Sequence, residues 1–281
     1  MSTRRRTRPA FTFASLSAGL VLAAAAAAAA CVETTSASPD ANTLVVHAVL
    51  DPGVQHQIIV VQKTTGAVAA QLQVTGAVVT ITTPDGLTLT AVERRDTAAI
   101  AVPKCEHCSL PFPAVTTIYD LDVGGAGLIP GGTYQLRVVV PDGRTVTGRT
   151  TIPIAVPSIA TTPTQTIDRS RDTVSVQWSR VAGARSYQVL IRSTAGAYTV
   201  FVADTSVVLP GTMQVLDNGE DVFERRLSHQ LAVIAVDKNY FDYYHRTSDA
   251  FASTGLVMHL DGGIGVFGSV VTVATRTIVV K

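Results

Sequence analysis

Residues 128–148 read LIPGGTYQLRVVVPDGRTVTG, and this stretch decides the fold. Over 133–140 the side chains alternate, Tyr134, Leu136 and Val138 against Gln135 and Arg137, which is the two-residue period of a strand half buried in a core. Pro141-Asp142-Gly143 follows. Proline presets φ for a turn and glycine accepts a positive φ, so a hairpin into 145–152 is predicted. The same device recurs upstream: 77–82 meets Pro84-Asp85-Gly86 and returns through 87–92. Asp51-Pro52-Gly53 separates a strand over 44–50 from one over 57–61.

Composition agrees with strands. Only 15% of the 281 residues are charged, while Val, Thr, Gly and Pro are plentiful, a mixture suited to half-buried strands and tight turns. The chain is expected to be all-β.

The N-terminus sets the environment. Arg4, Arg5, Arg6 and Arg8 precede an uncharged run, 9–30, that ends in eight alanines before Cys31. A charged region, an apolar stretch and small residues before a cut site make an export signal. With a cysteine at that cut site, the run resembles a bacterial lipoprotein signal, which implies that residues 1–30 are removed and Cys31 is lipidated. The motif usually carries Leu three residues before the cysteine, where this chain has Ala28. A retained transmembrane anchor is the other reading, since about twenty apolar residues can span a bilayer. Val32 after the cysteine implies the outer membrane within that resemblance. Without residues 1–30, 18 basic side chains face 21 acidic ones, a balance of −3 with no basic footprint for nucleic acid. Residues 31–42 are short and polar and read as a flexible tether.

Residues 153–172 hold Pro153, Pro157 and Pro163 without sustained period, so a linker is placed there between domains at 43–152 and 173–281. After it, VSVQWSRVAGARSYQVLI (174–191) alternates on both sides of a turn, with Trp178 the only tryptophan. The second domain resembles a fibronectin type III domain, in which such a Trp and Tyr187 are core residues; HQLAVIAVD (229–237) resembles its later strand. The segment 238–263 is longer than that family's last hairpin and carries Tyr240, Phe241, Tyr243, Tyr244 and Phe251. This spacing predicts a short helical insertion before a final strand at 265–280. The first domain, from its two Pro-Asp-Gly hairpins, resembles a transthyretin-like or carboxypeptidase-regulatory-like sandwich. The mature chain as a whole resembles uncharacterised envelope lipoproteins with this pair of domains.

Few residues carry chemistry. Cys105-Glu106-His107-Cys108 lies between Pro103 and Pro111. No second thiol pair completes a zinc site, no thioredoxin-like pattern surrounds it, and paired thiols in an exported chain oxidise, so a small disulfide between Cys105 and Cys108 is expected. Gly263-Ile264-Gly265-Val266-Phe267-Gly268 matches a dinucleotide fingerprint in letters, but a strand-like tail follows it where a helix is required. The turn Asp217-Asn218-Gly219-Glu220-Asp221 fits no calcium-loop spacing. Tyr240, Tyr243 and Tyr244 either contact a ligand, a sugar ring or a partner protein, or pack inward as a cap over the sandwich.

Without a catalytic constellation, metal set or cofactor motif, the expectation is a non-enzymatic, membrane-anchored surface lipoprotein. It would meet the membrane through its lipid, and another envelope protein or a glycan through its domains, in binding, adhesion or envelope assembly. A carbohydrate-binding accessory of an outer-membrane uptake system is the alternative, and an envelope thiol-disulfide enzyme a third.

Overall fold

The computed structural model describes residues 42–64, 71–100, 115–124, 127–155, 163–215, 219–247 and 258–281. The N-terminal strands are β1 (Leu44–Leu50), β2 (His56–Thr64), β3 (Gln71–Gln73), β4 (Val78–Thr82), β5 (Thr88–Thr90), β6 (Val92–Ile100), β7 (Val115–Asp122), β8 (Thr133–Val139) and β9 (Thr145–Thr151). Next come β10 (Thr164–Ile167), β11 (Thr173–Gln177), β12 (Ser186–Arg192), β13 (Ala197–Val202), β14 (Ser206–Pro210) and β15 (Ser228–Val236). A helix, α1 (Lys238–Thr247), then precedes β16 (Leu260–Asp261) and β17 (Ile264–Val280). Among the described residues, the protein is all-β with one short helix ahead of the last strand.

The Pro-Asp-Gly turns make the hairpins their chemistry dictates. Thr82 pairs with Thr88 and Val139 with Thr145, and Gly86 and Gly143 sit at φ 89° and 88°. On β8 the predicted phase holds, with Tyr134, Leu136 and Val138 buried.

β17 organises the molecule. Its first residues run parallel to β1, Val45 beside Ile264 through Leu50 beside Ser269. The rest runs antiparallel to β15, Val236 beside Val270 through Ser228 beside Val279. The result is a ten-stranded sheet in the order β13-β12-β15-β17-β1-β2-β7-β6, with β10 against β17 and β3 against β2.

Residues opposite one another across a ladder share a face. One face therefore carries two cores in succession. Over the first lies the sheet β16-β9-β8-β4-β5, enclosing Leu44, Val46, Tyr119, Tyr134, Leu136 and Phe267. Over the second lies the pair β11-β14, enclosing Trp178, Tyr187, Val189, Phe223, Val233 and Ile278. Each large side chain fully buried in this way contributes about 1.5–3 kcal/mol. Trp178 meets Tyr187 edge to face at 5.2 Å, and the Val181 amide donates to the Tyr187 hydroxyl at 2.8 Å.

The segment 153–172, expected as a linker, contains β10, which pairs with β17 and places Ile167 in the second core, while β17 belongs to both cores. The β15 to β17 register shifts at Val233/Ile234, skipping Val273, and Val273 packs against both cores. Ser38–Lys281 forms one compact unit.

Glycines let the backbone of β17 be approached closely. Gly265 has φ +117°, and a Cβ there would collide with the Val46 carbonyl; a Cβ on Gly268 would stand 2.9 Å from the Tyr240 amide nitrogen. The fingerprint-like glycines thus seat β1 and α1, and a strand follows them rather than a helix.

Candidate functional site

The other face of the ten-stranded sheet is partly covered by α1. Asp237 starts the helix as its N-cap: its Oδ1 accepts from the Tyr240 amide at 2.8 Å, satisfying one of the donors a helix leaves free at its start. The same oxygen accepts from the Ser269 amide at 3.1 Å, while the Asp237 amide donates to the Ser269 carbonyl at 3.0 Å. Oδ2 accepts from the Thr150 hydroxyl at 2.6 Å. Asn239 Nδ2 donates to the carbonyls of Phe267, at 2.9 Å, and Arg149, at 2.6 Å. Where β15 stops pairing with β17, these two side chains take over its ladder and tie β9 to the same point. Burial pushes the Asp237 carboxyl up, against the hydrogen bonds from Thr150 and the backbone amides.

The helix presents two aromatic faces. Tyr240, Tyr243 and Tyr244 turn to the sheet. Tyr243 is buried, its ring 5.3 Å from and edge-on to that of His47, with its hydroxyl 3.3 Å from His47 Nε2. Tyr240 donates to Gln188 Oε1 at 2.9 Å and lies 4.4 Å from Tyr244. Burial raises all three phenols, Tyr240 to about 12, and lowers the His47 imidazole to about 4. Tyr243 is thus buried against the outer face of the sheet rather than over an end of the sandwich, and Tyr240 and Tyr244 are half-buried beside it.

The outward aromatics are different residues. Phe241 and His245, one turn apart on α1, stack at 4.5 Å and 22°. Phe201 of β13 meets both edge-on at 5.6 Å, and the Arg185 guanidinium lies 4.9 Å over the Phe241 ring. Rings and cation form a half-exposed patch bordered by exposed Arg185. Sequence reasoning named Phe241 but not Phe201, His245 or Arg185 as its partners. A usable signal existed: Tyr198, Val200 and Val202 pack against the second core, so the alternation of β13 turns Phe201 outward.

Buried carboxylates on α1 and on β7 each gather two basic side chains. Asp242 Oδ2 accepts from Lys238 Nζ at 2.5 Å and lies 2.9 Å from His259 Nε2. Burial pushes this carboxyl up, but the bonds to Lys238 and His259 outweigh it and hold it below the usual range. Asp120, buried on β7, meets His56 Nδ1 at 2.9 Å and Arg94 at 2.8 Å. Asp221, in the acidic turn, pairs with Arg169. Among the described residues, no group of three or more His, Cys, Asp or Glu is placed to hold a metal ion. Cys31, Cys105, Cys108, Asp217 and Phe251 lie outside the described residues.

The chain matches one protein family from the residue after Cys31 almost to its end. It belongs to the family of the domain of unknown function DUF4249, matched over residues 32–275.

Proposed function

We propose that the protein is a non-enzymatic surface lipoprotein, tethered through Cys31, that docks another envelope protein at the outward aromatic side of α1. The observation that carries this reading is the Phe201, Phe241, His245 and Arg185 cluster. Half-exposed aromatic side chains beside an arginine on a stiff support are the composition of binding hot spots. Two elements hold the patch: β13 supplies Phe201, and the capped helix supplies Phe241 and His245. The arginine run 4–8, the apolar run before Cys31 and the polar tether support export and lipidation.

Two strand arrangements support the finer resemblance. The order β13-β12-β15-β17 across from β11-β14, around Trp178 and Tyr187, suits a fibronectin type III-like half. The hairpins of β4 with β5 and of β8 with β9 suit a transthyretin-like half.

Intact mass and detergent partitioning of the protein expressed from its own signal test the tether, beside Cys31→Ser. The proposal expects loss of residues 1–30, added acyl mass and detergent partitioning for the wild type alone. Identical behaviour of the two would remove the lipoprotein reading. Docking is tested by cross-linking at the patch in intact cells: a partner cross-linked through a photoreactive group at 241 and absent from Phe201→Ala supports it, and an unchanged pattern opposes it.

A further inference from the structure

The partner's chemistry follows from how Arg185 is held, given the docking reading above. The guanidinium lies over Phe241 at 4.9 Å, the side chain is exposed, and none of the ion pairs among the described residues includes it. The Arg185 main chain is fixed as well, since its amide donates to the Val236 carbonyl at 2.8 Å. A cation held over a ring keeps its N–H donors unspent, and the five donors of a guanidinium form the fork that a carboxylate meets with two parallel bonds.

The rings beside it select the rest of the ligand. His245 stacks at 4.5 Å on Phe241 and Arg185 lies over the same ring, so the ring faces of Phe241 are already engaged by neighbours of this chain. A pyranose needs an open aromatic face to stack upon. An apolar side chain packs well against ring edges such as those of Phe241 and Phe201. We infer that the patch binds an acidic peptide segment, in which a carboxylate pairs with Arg185 and a neighbouring apolar or aromatic side chain packs against Phe201 and Phe241. An isolated surface ion pair is weak, but here the cation is ordered by the ring beneath it, and the apolar contact excludes water from one side.

The test uses the full chain in detergent and three fluorescent probes: a nonapeptide alternating Asp and Phe, its Asn and Phe counterpart, and an oligogalacturonate. The inference expects saturable binding of the Asp peptide, at least tenfold weaker binding of the Asn peptide, and weakening with added salt. Arg185→Ala should abolish the preference for Asp over Asn, and Arg185→Lys should restore part of it, since an ammonium keeps the charge without the fork. Equal binding of both peptides, or a preference that survives in Arg185→Ala, overturns the acidic specificity while leaving docking at the patch in place. Preferential binding of oligogalacturonate overturns the peptide class, and no binding of the Asp peptide at 1 mM overturns the inference outright. Asp-peptide affinity unchanged in Phe241→Ala and Phe201→Ala overturns the docking reading as well.

Discussion

Among the described residues, Gln62 stands out for an amide left unsatisfied at both ends. It is fully buried on β2, and neither its Oε1 nor its Nε2 has a hydrogen-bond partner. A buried amide in that state costs roughly 1–3 kcal/mol. Gln62→Leu should therefore raise the urea midpoint, by about 1–2 kcal/mol in free energy, and a loss of stability would show that the amide is satisfied in solution. His47, on the same face, makes stability depend on pH. Its folded pKa of about 4 lies below the free value of 6.5. Above 6.5 both states are neutral and its contribution is complete. As pH falls toward 4 the unfolded chain takes up the proton first and stability is lost, on the order of 3 kcal/mol across the window. Asp237, with its carboxyl raised by burial, works in the opposite sense, regaining stability as pH falls through its folded value. Urea titrations at pH 7 and pH 4.5 should show a drop for the wild type that His47→Gln largely removes; equal drops would contradict the assignment.

At the scale of elements, α1 stands on its cap. Asp237→Ala removes the acceptor of the Tyr240 and Ser269 amides in a buried seam and leaves the Thr150 hydroxyl only Ser269 Oγ, at 3.1 Å. The expected loss is about 2–4 kcal/mol, with Asp237→Asn losing less because one oxygen remains. Circular dichroism and melting temperature read the effect, and an unchanged Tm for Asp237→Ala would mean that the helix is held by its tyrosines alone. The hairpins and the helix were legible in the sequence because their causes are local: a Pro-Asp-Gly turn, a period of two, aromatics spaced by three and four. The helix starts before its first aromatic, at Lys238, because the cap is Asp237. Which aromatics face outward was not legible. That depends on the sheet beneath α1, where Gln188 pairs with Phe201 on neighbouring strands and Gly268 leaves room for Tyr240.

On the scale of the whole molecule, the pairing of β1 with β17 joins chain segments more than two hundred residues apart, and no short-range pattern announces it. A hint was present in β1. Its residues LVVHAVL are apolar at nearly every position and buried at nearly every position, the signature of a strand covered on both faces rather than on one. The sequence was expected to hold a linker at 153–172, yet β10 within it joins the sheet beside β17 and buries Ile167 in the second core; nor was it legible that the last strand would enter both cores. If one sheet carries both cores on one face and supports the patch on the other, residues 42–281 should unfold as a unit. Differential scanning calorimetry of the protein measures this directly. The account predicts a single transition with equal calorimetric and van't Hoff enthalpies, and that Val273→Asp at the shared bulge lowers that one transition. Two separable transitions, only one of them shifted by Val273→Asp, would contradict it.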